Sequence, residues 1–150
     1  MSALSVETKI WQALRTRVAT LQGGYTISWP MEPFSPPTAG GKPAPYVECR
    51  NIQNRTSRVF IGSSEPHDRK GILQLSLCWP VSEVGTGSGK THPDVLTERA
   101  GQIAAHFPTD HRMTFGDVDV RVTSAPDVAQ GYLDGTYIKV PVSINWRTFT

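Results

Sequence analysis

Apolar and polar residues alternate after Gly71, with Leu73, Leu75, Leu77 and Trp79 on one side, which predicts a strand with one buried face. Beyond a glycine-rich stretch, Leu96, Arg99/Ala100, Ile103/Ala104 and Phe107 recur at helical spacing and predict a helix. This strand, loop and helix, residues 71–107, form the centre around which the remaining elements are arranged. An earlier stripe of Val6, Ile10, Ala13/Leu14, Val18 and Leu21 predicts a first helix over residues 3–21, with Ser5 placed to cap it and Gly23-Gly24 to end it. The cleanest alternation is near the end of the chain. Ile138, Val140, Val142, Ile144 and Trp146 point one way, and Lys139, Pro141, Ser143 and Asn145 the other. Pro141 cannot donate a ladder hydrogen bond, so this strand is expected at a sheet edge or with a bulge, and a long edge strand invites pairing with another chain.

Shorter strands are predicted at Tyr25–Trp29, Tyr46–Ile52, Met113–Phe115 and Val118–Val122, the last two joined by a turn at Gly116-Asp117. Residues 30–45 carry six prolines, which forbid regular structure, but Trp29, Met31 and Phe34 are bulky enough to pack this loop on a surface. Residues 53–70 hold a short apolar run, Val59–Ile61, between Arg55 and Arg58 on one side and Arg69 and Lys70 on the other. They read as a basic hairpin or a projecting arm. Residues 124–135 read as loop. Helices are few and do not alternate with strands, so the fold class is α+β. One domain over residues 1–150 is expected, a mainly antiparallel β-sheet with two α-helices packed on one face and long loops.

Composition narrows the function classes. Lys and Arg total 15 against 13 for Asp and Glu, too balanced for electrostatics alone to imply a nucleic-acid or membrane partner. No run of about 18 apolar residues is present to span a membrane, and the N-terminal stretch lacks a secretory signal pattern. Cys49 and Cys78 are far apart and each lies in a predicted strand, which favours buried free thiols over a disulfide.

Gly85–Thr91 contains Gly-Ser-Gly-Lys-Thr, which invites comparison with a phosphate-binding loop. The position that should hold the first glycine is Val84. Pro93 postpones the helix, with the cap at Thr91 or His92, so its positive end cannot sit beside Lys90. No apolar run ends in an acidic residue placed to hold magnesium. A mobile, cationic turn is the simpler expectation. The four histidines (His67, His92, His106, His111) show no metal-ligand spacing, and neither Cys78 nor Ser63-Ser64 has the surroundings of a nucleophile. No catalytic residue, cofactor site or metal site is expected.

Six stretches, taken in order, resemble one family. They are W-x-x-E-x-F-x-P-P at Trp29–Pro37, P-Y-V-E at Pro45–Glu48, R-K-G-I-L-Q-L-S-L at Arg69–Leu77, W-P-V and G-x-G within Trp79–Gly87, A-G-Q-I-A-A-H-F-P at Ala100–Pro108, and V-P-V-S-I-N-W-R at Val140–Arg147. The chain is similar to the tail terminator (tail completion) proteins of long-tailed bacteriophages. The resemblance implies a non-enzymatic virion protein, made in the bacterial cytoplasm, that forms a homohexameric ring at the head-proximal end of the tail. Such a ring caps the tube, ends its polymerisation and offers a surface to the head–tail connector. The implied partners are further copies of the chain, the tail tube protein and the connector, without membrane or sequence-specific nucleic-acid binding. Candidate assembly contacts are Trp29, Glu32 and Phe34 in the proline loop, Arg55, Arg58, Arg69 and Lys70 in the basic arm, and Lys90 in the glycine loop. A head–tail connector or head-completion protein is the alternative. A small nucleotide-binding enzyme using Lys90 is the distant one.

Overall fold

The computed structural model describes residues 5–54, 56–58 and 67–149, with Ser57 and Arg58 as backbone only. Arg55 and the apolar run Val59–Ile61 lie outside the described residues. Among the described residues two α-helices, α1 (Val6–Ala19) and α2 (Pro93–Ala105), accompany eleven strands. The strands are β1 (Thr26–Ser28), β2 (Thr38–Ala39), β3 (Lys42–Pro43), β4 (Tyr46–Gln53), β5 (Ser57–Arg58), β6 (His67–Pro80), β7 (Arg112–Phe115), β8 (Val118–Val122), β9 (Asp127–Val128), β10 (Tyr132–Asp134) and β11 (Tyr137–Phe149). The main sheet runs in the order β1-β4-β6-β11-β8-β7, with β5 on β6 and with β9 and β10 on β11.

Both helices cover the same face. From α1 come Ile10, Ala13, Leu14 and Val18, and from α2 and its end Leu96, Ala100, Ile103 and Phe107. They meet Val47, Leu73, Leu75, Leu77, Val120, Val122, Val142, Ile144 and Trp146 in one core. Helix α1 lies over β7 and β8, and α2 over β6 and β11. Ser5 caps α1 as expected, its Oγ accepting from the Thr8 amide, and His92 caps α2 with Pro93 as the first helical residue. Helix α1 ends earlier than the glycines. Thr20 closes it by donating both its amide and its Oγ1 to the Arg17 carbonyl, while Gly23 and Gly24, at φ 106° and 67°, turn the chain toward β1.

Strand β11 is central, which overturns the edge-strand expectation. It pairs with β6 along its whole length, from Tyr137–Pro80 to Phe149–Asp68. On its other side it meets β10, β9 and β8 in succession. The pairing shifts by one residue between Tyr132–Lys139 and Val128–Val142, so residues 129–131 face only residues 140–141 across a β-bulge. The missing N–H of Pro141 falls at this bulge, where its carbonyl accepts from Ala129. The same shift explains why residues 124–135 read as loop: β9 and β10 are too short and interrupted to show a period.

Strand β6 begins at His67 rather than Gly71, so Arg69 and Lys70 belong to the sheet and not to a projecting arm. Arg58 pairs in the backbone ladder with His67, closing the hairpin expected there. Strand β1 runs parallel to β4, the one parallel pair among the described strands. A parallel neighbour requires a crossover, which is the job of residues 29–45. Prolines do not keep that segment wholly irregular, because Gly40 and Gly41, at φ 59° and 79°, allow the small β2–β3 hairpin. Gly71 sits in the core opposite Trp146, whose ring occupies the space a β-carbon would need. The indole N–H donates to Asn51 Oδ1 at 3.1 Å.

Candidate assembly surfaces

The proline loop leaves β1 through Trp29 and is pinned to the body at two points. Trp29 meets Trp11 of α1 edge to face, with ring centroids 6.3 Å apart, and the Arg15 guanidinium stacks over the Trp29 ring at 4.5 Å. Arg15 also pairs with Glu32 at 3.3 Å. Phe34 packs on Tyr46, which meets Tyr137, on the helix-free face of the sheet. These side chains thus hold the loop in place from within the chain. Met31, expected to pack with them, is 99% exposed at φ 61° and forms the tip of the loop. Sequence offered no way to tell which of the loop's large side chains points outward.

The basic cluster divides between the two faces of β6, because neighbouring residues of a strand point in opposite directions. Arg69 turns toward the helices and donates to Glu7 Oε1 at 2.9 Å, lowering the Glu7 pKa together with a backbone hydrogen bond, which is the larger cause. Lys70 is exposed on the other face, beside Arg147 in register. Arg147 grips Asp68 with both prongs of its guanidinium, at 2.8 and 2.7 Å, and this hydrogen bonding holds the Asp68 carboxyl below the usual aspartate value.

The glycine loop folds back on itself. Thr91 N donates to Glu83 O at 2.7 Å and Gly85 N to Thr91 O at 2.9 Å, while the Lys90 ammonium donates to the Ser82 carbonyl. Gly85 and Gly87 pass close along the Lys90 stem. Lys90 is therefore tied to its own loop, and α2 begins three residues later at Pro93. This geometry gives the amides of Gly85, Lys90 and Thr91 to the loop's own carbonyls and sets the N-terminus of α2 beyond Lys90, unlike the glycine loops that lead directly into a helix to hold phosphate.

The helix-free face carries a polar cluster that sequence reading did not single out. Lys139 bridges Glu48 at 3.2 Å and Asp134 at 2.9 Å. Burial opposes its charge, but the two carboxylates outweigh burial and push the Lys139 pKa up. Cys78 lies beneath Tyr46, its thiol pushed up to about 11 chiefly by burial, and Cys49 lies in the helix-side core, pushed up to about 12 for the same reason. Both thiols are free, and they occupy opposite faces of the sheet. Such buried, protonated thiols are poor nucleophiles. Among the described residues no group of three His, Cys, Asp or Glu converges as metal ligands would. Tyr132 and Leu133 of β10 stand exposed, on a strand too short to be seen in the sequence.

A solved structure is 20% identical to this chain and shares its fold, with a TM-score of 0.65 over 92% of this chain and 94% of the other. No curated protein sequence matches. The model of the family described as phage tail terminator protein matches residues 9–146, from the first turn of α1 to Trp146 in β11. That match takes in α2, most of α1 and the sheet as far as Trp146, and the chain therefore belongs to the phage tail terminator family, structural components of the phage tail.

Proposed function

We propose that copies of this chain close into a hexameric ring on the head-proximal end of the tail tube, stop tube polymerisation and present a surface to the head–tail connector. The observation that carries this reading is the family match over residues 9–146. A ring built from one protein needs a heterologous interface, in which two different surfaces of the same chain meet and the rotation closes. The fold has surfaces suited to this use. The proline loop projects Met31 while Trp29, Glu32 and Phe34 brace it from behind. Lys70 lies exposed on the helix-free face, and the outer strands β1 and β7 each pair on one side only in the described sheet. Candidate contacts in such a ring are therefore the proline loop, the exposed part of the basic cluster and the rim of the glycine loop around Lys90.

Two measurements test this. Light scattering on the purified protein should show a closed oligomer, or one that forms when tail tubes are added. Cryo-electron microscopy of tails should show one ring of this protein at the head-facing end of the tube, and phage lacking the protein should build tubes of uncontrolled length. A protein that stays monomeric with tubes present, together with tubes of normal length in its absence, overturns the reading. Density one layer further toward the head would assign it to the connector instead.

A further inference from the structure

Four cations stand side by side across the helix-free face. Register pairs Arg112 with Arg121, Arg121 with Arg147, and Arg147 with Lys70, so the row crosses β7, β8, β11 and β6 without a break. Neighbours on adjacent strands lie about 4.8 Å apart, which makes the row about 14 Å long. Like charges directly opposite one another weaken a sheet, so folding alone gives no reason for three such pairs in succession.

Carboxylates offset the row only in part. Asp68, 6% exposed, is enclosed by the Arg147 fork. Asp119 holds Arg112 through one contact of 3.2 Å, and Asp110 approaches Arg121 only to 3.9 Å, leaving the Arg112 and Arg121 side chains 67% and 50% exposed. Among the described residues three carboxylates thus face four cations: Asp68 takes one edge of the Arg147 fork but leaves that side chain 43% exposed, and Arg112 and Arg121 are each held through a single nitrogen. Arg112, Arg121 and Arg147, with Asp119, Thr148 and Phe149, line a shallow cleft of about 220 Å³.

We infer that this row binds the phosphate backbone of a nucleic-acid duplex, without reading its sequence. A regular line of cations complements a regularly repeating anion, and the planar guanidinium matches phosphate oxygens with paired N–H donors. Among the described residues no base-reading element accompanies the row, which lies on the face of the main sheet and not on a helix that could enter a groove. The inference does not depend on the ring, because the row lies within one chain.

The test is binding of a short fluorescent DNA duplex by the purified protein across salt concentrations. Four phosphate contacts give a slope of log affinity against log salt of about −3.6, a fall of about a hundredfold between about 50 and about 200 mM. Arg112→Gln with Arg121→Gln should weaken binding and reduce the slope to about −1.8, with the far-ultraviolet circular-dichroism signature of the fold unchanged. Lys42→Gln, on the β2–β3 hairpin, should leave both unchanged. The inference is overturned if the wild type does not bind at low salt or if the double variant binds as the wild type does. It is also overturned if Lys42→Gln weakens binding equally, or if polyglutamate displaces the duplex at equal charge concentration, which would assign the row to an acidic protein surface.

Discussion

Arg17 of α1 reaches the end of α2 and donates two hydrogen bonds to the backbone carbonyl of His106, from Nε at 3.0 Å and from a terminal nitrogen at 2.6 Å. Helix C-termini leave carbonyls without partners and carry partial negative charge, and here a cation from the other helix supplies both the donors and the charge. Arg17→Met keeps the aliphatic stem and removes the fork. It should lower unfolding free energy by about 1.5–3 kcal/mol in urea titrations, with an unchanged denaturant slope.

His106 also contacts Thr20 Oγ1 at 2.8 Å and the Arg17 carbonyl at 3.2 Å through Nε2. Burial, then the Arg17 charge, lowers its pKa from the ordinary 6.5, and the same two causes lower that of His111. A histidine with a lowered folded pKa takes its proton more readily when unfolded. Its stabilisation is therefore complete above about pH 6.5 and declines as pH falls toward the folded value. Melting temperature should drop between about pH 7.5 and about pH 5.5, and His106→Gln should make that drop smaller.

A β-carbon at Gly71 would lie 2.6 Å from the Ile52 carbonyl oxygen and 2.6 Å from the Trp146 ring. Gly71→Ala should cost about 1–3 kcal/mol, measured by thermal or urea unfolding. Adding Trp146→Leu removes the ring clash but not the backbone one. The double variant should therefore be more stable than the sum of the two single losses predicts.

Lys139→Met strips the partner from Glu48 and Asp134 on a face where the lysine side chain is only 14% exposed. A loss of about 1–3 kcal/mol is expected in urea unfolding. Lys139→Met with Glu48→Leu should recover part of that loss, since a half-buried carboxylate no longer lacks its cation.

The two helices, the β6 and β11 alternations and the His92–Pro93 start of α2 were legible because each is written in a local period or a cap. The arrest of the nucleotide reading was legible too, in Val84 and Pro93. The basic cluster was legible only as composition. That Arg69 serves α1 while Lys70 faces away follows from strand parity once β6 is known to begin at His67. Loop anchoring was half legible: Trp29 and Phe34 pack as their size suggests, whereas Met31 does not, because only the fold of the loop decides which side chain its turn throws outward.

The amino-acid sequence by itself determined an α+β chain with two amphipathic helices, the absence of a phosphate-loop pattern and the likeness to tail terminators, all carried by near neighbours in the chain. Tertiary structure decided what depends on pairing between distant segments. It placed β11 at the centre of the sheet and put the Pro141 gap at a bulge. It set β1 parallel to β4, and it aligned Arg112, Arg121, Arg147 and Lys70 in one row. Register is a relation between strands, settled by burying all the apolar faces at once, and no single stretch of sequence contains it.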